Sequence, residues 1–390
     1  MHILTALTYY LPHYSGLTIY TERLTRALAR RGHQVTVLTS QFDPALPRLE
    51  QLHGVTVVRI PPLMRISKGQ LMPAMPVQAW RLARQADIIH LHMPQLDASY
   101  IAWIGKLQKK PVVLTYHCDL RLPRGLIHAT ANQASHFANR IAAWGSNAIV
   151  NTSRDYADHS DFLNHYLDKV HIINPPVELA PASEQDVLAF RQKFNIEEGQ
   201  RIIGMAARFA TEKGVEYLVQ ALPGVLKKVP EARVLFVGPY QNVLGEERYA
   251  ARIMPLIKEL DEHWSFLEIL SPVEMTAFFR ICDVLTVPSS NSTEAFGLVQ
   301  IEAMICGTPV VASDMAGVRQ PVLTTGMGKL VPIGDSIALE KALLEILTGK
   351  EKYKCDTNAL ALLYNPDAIA REYEELFENL IKQRKNPSEN

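Results

Sequence analysis

The chain has 390 residues, 47% of them apolar and 21% charged, with a mean hydropathy near zero. This excludes a disordered or fibrous protein, and the length exceeds what one hydrophobic core usually organises, so two domains are expected. Forty Lys plus Arg cancel forty Asp plus Glu, yet residues 1–178 hold 18 basic and 11 acidic side chains and the remainder 22 and 29. A basic half invites an anionic partner such as a membrane surface; the plainer reading is a solvated face balanced by the acidic half. No apolar run is long enough to cross a bilayer, and the first residues lead straight into a strand without a basic leader. A cytoplasmic protein is expected. Cys118, Cys282, Cys306 and Cys355 lie far apart without metal-type spacing, which fits a reduced compartment.

In chain order, strand and helix patterns alternate. Ile3 to Leu7 is an apolar run, followed by a turn-rich loop and a helix from about Thr18 to Arg31, with Gly32 just past its end. Strands follow at residues 35–39, 55–60, 87–91, 112–116 and 148–150. Their β-branched runs without polar alternation suit parallel strands covered on both faces. The connector Asn174-Pro175-Pro176 reads as a domain boundary, after which the series restarts with strands near 201–206, 233–237, 266–270, 284–287 and 309–312. Two such series predict an α/β protein of two doubly wound Rossmann-like domains facing across a cleft: residues 1–176, residues 177–365, and a C-terminal helix, 366–390, packing back towards the first.

The first βα loop lacks G-x-G-x-x-G, which speaks against hydride transfer, and neither a P-loop nor an Asp-x-Asp metal pair occurs. His90 and His92 share one side of a strand without an evident third ligand. The richest segment runs from Thr293 to Met304. There Glu294 falls in a loop, Gly297 opens a helix and Glu302 lies about one turn inside it. Backbone N–H groups of Gly297, Leu298 and Val299, beside Phe296, would form an anion site flanked by two carboxylates suited to hydroxyl-bearing groups. Arg208 and Lys213 follow the strand at 201–206, where open α/β sheets bind ligands, and two cations there can clamp a diphosphate.

Together these segments resemble the retaining GT-B glycosyltransferases of glycosyltransferase family 4. The resemblance rests on Glu294-x7-Glu302 with its continuation to Ala312, on Arg208-x4-Lys213-Gly214, on Leu28 to Val37, and on Tyr116-His117-Cys118-Asp119. It implies that Glu294 holds sugar hydroxyls near the reacting centre, that Glu302 holds the ribose, and that Arg208 and Lys213 neutralise the leaving diphosphate. His117 and Asp119 would face the sugar, and Ser15 and Gly16 would meet donor or acceptor, although family members often carry Gly-Gly there. Ser271 is a plausible base-side residue.

The expected activity is metal-independent, retaining transfer of a hexose from a UDP or GDP sugar to a hydroxyl acceptor, with no cofactor and no nucleic-acid partner. Two rivals are a GT-B sugar-nucleotide epimerase or phosphorylase and a non-catalytic binding module at a membrane. An anionic membrane surface is also a candidate partner, through Arg59, Arg65 and Lys68 with Leu63, Met64, Ile66, Leu71, Met72, Met75, Val77 and Trp80. The plainer reading there is that these apolar residues pack under the first sheet.

Overall fold

The computed structural model describes residues 1–66, 69–119, 137–349 and 353–385. The chain divides into two compact units, residues 1–176 with 363–390, and residues 177–362.

The first unit runs β1 (His2–Ala6), α1 (Gly16–Arg30), β2 (Gln34–Ser40), β3 (Leu49–Leu52), β4 (Val55–Ile60), β5 (Met64–Ile66), β6 (Gly69–Leu71), α2 (Met75–Gln85), β7 (Ile88–Met93), α3 (Ala98–Leu107), β8 (Val112–Tyr116), α4 (residues 137–145), β9 (Ala148–Asn151), α5 (Arg154–His159) and β10 (Val170–Ile172). Its eight-stranded sheet has the order β10-β9-β8-β7-β1-β2-β4-β3, parallel except for the antiparallel edge strand β3. Strands β5 and β6 form a separate hairpin. The central strands are buried along almost their whole length, which explains their unbroken apolar character. Helix α1 begins two residues earlier than the pattern suggested, because the Ser15 side chain accepts from the Thr18 N–H at 3.2 Å and caps the end.

The second unit runs α6 (Glu184–Lys193), β11 (Arg201–Ala206), α7 (Val215–Leu226), β12 (Ala232–Val237), α8 (Glu247–Lys258), β13 (Trp264–Phe266), α9 (Pro272–Ile281), β14 (Val284–Val287), α10 (Leu298–Ile305), β15 (Val310–Ser313), α11 (Gln320–Thr325), β16 (Gly328–Val331) and α12 (Ser336–Leu347). All six strands are parallel, in the order β13-β12-β11-β14-β15-β16. Strand β13 stops at Phe266, short of the expected 270, and Glu268 just beyond it has φ +52°, outside the extended region. The order reverses between β11 and β14. Those neighbours carry the Arg208 and Glu294 loops at their C-terminal ends, so the sheet itself brings the two loops together.

After α13 (Thr357–Leu363), helix α14 (Pro366–Lys385) belongs to the first unit and packs on α1. Ile369, Tyr373 and Phe377 enter that unit's core. Glu374 pairs with Arg31 and Asp367 with Arg30, so part of the first unit's basic excess is balanced by this late acidic helix.

Two expectations about the basic stretch are corrected. Arg59 is buried, paired with Glu50 across β3–β4, and donates to the carbonyls of Leu11 at 2.8 Å and Pro47 at 3.1 Å. It therefore holds a loop and is not a surface cation. Met72 and Met75 are also buried, whereas Leu63, Met64, Arg65, Leu71, Val77 and Trp80 are exposed. Lys68 and the side chain of Ile66 lie outside the described residues.

Candidate active site

In the second unit the chain leaves β11 through Arg208 and a single turn at Thr211–Lys213, then enters α7 at Gly214. Gly214 has φ +66°, and a Cβ built on it would lie 2.0 Å from the carbonyl oxygen of Pro288, at the exit of β14. Only glycine permits both the left-handed backbone and this approach of the two loops. The Ser290 N–H donates to the Glu212 carbonyl at 3.0 Å, and the Thr211 hydroxyl and N–H both donate to Glu246, at 2.7 and 3.0 Å. The turn is thus fastened on two sides.

The consequence is an ion pair between the Lys213 ammonium and the Glu294 carboxylate, both partly exposed. Arg208 donates to Glu212 at 2.6 Å, a partner that the spacing of the motif did not disclose. Each cation is therefore held beside a carboxylate and oriented, not free in solvent. Gly297, at φ +76°, opens α10, which has no side-chain cap at its N-terminus, whereas at the start of α7 the Glu216 N–H donates to the Tyr249 hydroxyl at 3.3 Å. No acid stands in the first turn of α10. The uncapped end of α10 follows β14 at the order reversal, with Lys213 close by through its pairing with Glu294, and such an end favours anions.

Phe296 and Glu302 are buried, while Leu298 and Val299 are partly exposed. Gln300, missed in the sequence, fixes the entry to α10. It is fully buried and its side-chain amide donates to the carbonyls of Phe296 at 2.8 Å and Val318 at 2.9 Å. A glutamine amid the apolar residues of a buried helix was the available signal. Ser271 is set apart: it caps α9 in a capping box with Glu274, beyond the edge strand β13.

In the first unit, His117 follows β8. Its Nε2 lies 2.9 Å from Nδ1 of His92, and its ring meets Tyr20 edge-on at 4.8 Å. His90 Nε2 contacts the Thr115 hydroxyl at 2.7 Å, Thr115 contacts Tyr373 at 2.8 Å, and Tyr373 contacts Tyr20 at 2.8 Å. Burial lowers the pKa of His90 and of His117 to about 3, and that of His92 well below its ordinary value, so all three are neutral at pH 7. The Thr21 hydroxyl donates to the Leu17 carbonyl at 2.8 Å and sits 3.2 Å from His92 Nδ1. That contact is satisfied when His92 carries its proton on Nδ1, which leaves His117 Nε2 as the acceptor.

Asp119 is not presented beside His117. It is buried, its carboxylate accepting from the Tyr116 and Ser160 hydroxyls, both at 2.8 Å. Ser15 is engaged as a helix cap, and Gly16 is the first residue of α1, where an added Cβ would meet nothing within 4 Å. Among the described residues, no group of three or more His, Cys, Asp or Glu side chains is disposed to hold a metal ion.

Comparison with known proteins agrees with this division. Residues 14–180 match the family model "Glycosyltransferase Family 4" and residues 186–360 match "Glycosyl transferases group 1". The chain is a glycosyltransferase of the GT-B type. The glycosyltransferase is 27% identical over 372 residues to a phosphatidyl-myo-inositol mannosyltransferase of Mycobacterium leprae, covering 94% of this chain and 93% of that protein. It is 28% identical over 359 residues to a D-inositol 3-phosphate glycosyltransferase of Xylanimonas cellulosilytica, covering 85% and 83%. Its fold matches Anabaena HepE, solved in complex with UDP and glucose, with a TM-score of 0.78 at 20% identity over 97% of this chain and 100% of that one.

Proposed function

We propose that this glycosyltransferase moves a hexose from a UDP or GDP sugar to a hydroxyl acceptor, with retention at the anomeric carbon and without a metal ion. The observation that carries the reading is the pairing of Lys213 with Glu294 beside the uncapped, acid-free N-terminus of α10. When a diphosphate enters, Lys213 exchanges its carboxylate partner for a phosphate oxygen, and Glu294 is released to accept hydrogen bonds from sugar hydroxyls. Arg208, the Lys213 ammonium and the N-terminus of α10 then stabilise the negative charge that grows on the leaving group. The bond from the anomeric carbon to the phosphate oxygen breaks, the acceptor oxygen bonds to the same face, and its proton passes to the departing phosphate. His117, neutral and oriented through His92, serves as a sugar contact, and Glu302 as the ribose contact. The names of the relatives, both of which act on inositol-containing acceptors, favour a polyol or lipid-linked acceptor.

The test is to incubate the protein with a panel of nucleotide sugars and candidate acceptors, following nucleoside diphosphate release and the anomeric configuration of the product by NMR. Release with an α-linked product from an α-linked donor, unchanged by EDTA, is expected. An inverted product contradicts retention, loss of activity in EDTA contradicts metal independence, a new free sugar nucleotide indicates an epimerase, and no release indicates a binding module.

The two glutamates should separate kinetically. Glu302→Ala is expected to raise the donor KM with kcat little changed, whereas Glu294→Ala is expected to lower kcat by about a hundredfold. Equal effects of both variants on both constants would remove this division of roles.

A further inference from the structure

We infer that the outer surface of α2, α3 and α4 is a docking face for an anionic lipid bilayer. Val77 (54% exposed) and Trp80 (43%) on α2, Trp103 (41%) and Leu107 (57%) on α3, and Phe137 (68%) and Trp144 (55%) on α4 all present large apolar side chains to solvent. In each helix the exposed residues recur three, four or seven positions apart, which places them on one side, and α2 and α3 meet the sheet at β1, β7 and β8.

The three stripes are joined into one face. Helices α2 and α3 pack together, and the Gln108 side chain donates to the Trp80 carbonyl at 2.9 Å. Helices α3 and α4 are linked by the stacked rings of Trp103 and Trp144, with centroids 5.1 Å apart. An added Cβ on Gly145 would lie 3.2 Å from that of Ala102, so α4 rests closely on α3.

The charge on this surface selects the occupant. Arg81 and Arg84 of α2, Lys106 of α3, Lys109 just beyond it and Arg140 of α4 are exposed, and none of the three helices contains an Asp or Glu. From residue 75 to 153 the acids are Asp97 and Asp119, both buried, and the exposed Asp87, whose carboxylate accepts from the His2 N–H at 2.8 Å. The Lys106 ammonium sits 3.2 Å above the Trp144 ring, so cation and aromatic occupy one spot. A protein-facing surface is usually poor in lysine at its centre. Tryptophan bodies with ammonium and guanidinium heads between them match the boundary of an anionic bilayer, where the ring lies at headgroup depth and the cation meets phosphate. This goes beyond the β5–β6 hairpin, whose exposed Leu63, Met64 and Leu71 precede α2 in the chain. It rests on the proposed lipid-linked acceptor only for its purpose, since lipid binding is measured without catalysis.

The test is flotation of the full chain with vesicles of phosphatidylcholine alone or mixed with phosphatidylglycerol, at low and high salt, with quenching of tryptophan fluorescence by brominated lipid. Binding to the anionic vesicles at low salt, weakened by salt and accompanied by quenching, is expected. Lys106→Glu and Arg140→Glu should each weaken it by about fivefold or more. Trp80→Ser, Trp103→Ser and Trp144→Ser together should abolish most of the quenching while leaving the melting temperature near that of the wild type. Nucleoside diphosphate release from soluble substrates should persist in all these variants, and its loss in the unaltered protein counts against the proposed activity alone. Absence of binding to anionic vesicles at low salt overturns the docking face, as does salt-insensitive binding unaffected by these variants. Self-association that the tryptophan variants disrupt, without lipid binding, overturns it in favour of a contact between copies of the chain.

Discussion

Replacing Lys213 by Ala is expected to lower turnover by about a hundredfold or more, with the melting temperature close to that of the wild type. The lysine pairs with Glu294 and stands where the leaving diphosphate would gather charge, so its loss resembles removal of one preorganised donor to an oxyanion. Arg208→Ala should act similarly but leave Glu212 without its guanidinium partner, which predicts a somewhat larger effect on donor binding. Steady-state kinetics and thermal melts of both variants check this. Turnover within about tenfold of wild type in a folded Lys213→Ala protein would mean that the diphosphate is stabilised elsewhere.

The second large effect is on stability in acid. His90 and His92 are fully buried and neutral, and their pKa values in the fold lie far below the 6.5 of an exposed histidine. Below pH 6.5 the unfolded chain therefore takes up protons that the folded chain does not, and stability is lost as the pH falls towards the folded values. Each such group costs about 1.4 kcal/mol per pH unit, or about 4 kcal/mol by pH 5 for His90 and His117, whose folded values lie near 3, with His92 acting in the same direction. Against a typical stability of about 5–15 kcal/mol, that would bring the first unit close to unfolding. Above pH 6.5 these three histidines should contribute no pH dependence. Urea titrations at several pH values, read by amide exchange in β7 and β8, measure the slope. A flat stability from pH 6.5 to 5 would show that these rings take up protons in the folded state.

Much of the fold was legible because its information is local. A buried parallel strand needs an apolar β-branched run, and β1, β2, β4, β7, β8 and β11 supply one. Edge strands β3 and β10 were not read, because Leu49–Leu52 and Val170–Ile172 carry polar residues and need only one covered side. The loops after β11 and β14 could be paired from sequence because a doubly wound sheet places ligands at its order reversal. Their wiring could not. Glu212 beside Arg208, Gln300 beneath Phe296 and the pairing of Lys213 with Glu294 depend on three-dimensional approach, and Gly214 reveals its reason only once Pro288 stands against it. Arg59 was misread for the same cause. Nothing in its neighbourhood along the chain tells that Glu50 and two carbonyls enclose it. The histidine cluster was the least legible, since Tyr373 reaches Thr115 across 258 positions.

That long return has a consequence for the order in which the protein can be made. The first unit's sheet and α1 are complete in sequence by residue 176, yet Ile369, Tyr373 and Phe377 of α14 are needed to close the core over His90, and Tyr20 and Thr115 find their hydroxyl partner only there. During synthesis the earlier half must wait, with that apolar and polar floor uncovered, until the intervening 177–362 unit has been translated. A chain stopped before residue 366 would lose no residue of the Arg208–Glu302 segment, but it would carry an open first unit exposed to chaperones and proteases. Damage at the very end of the sequence should therefore be felt at its beginning.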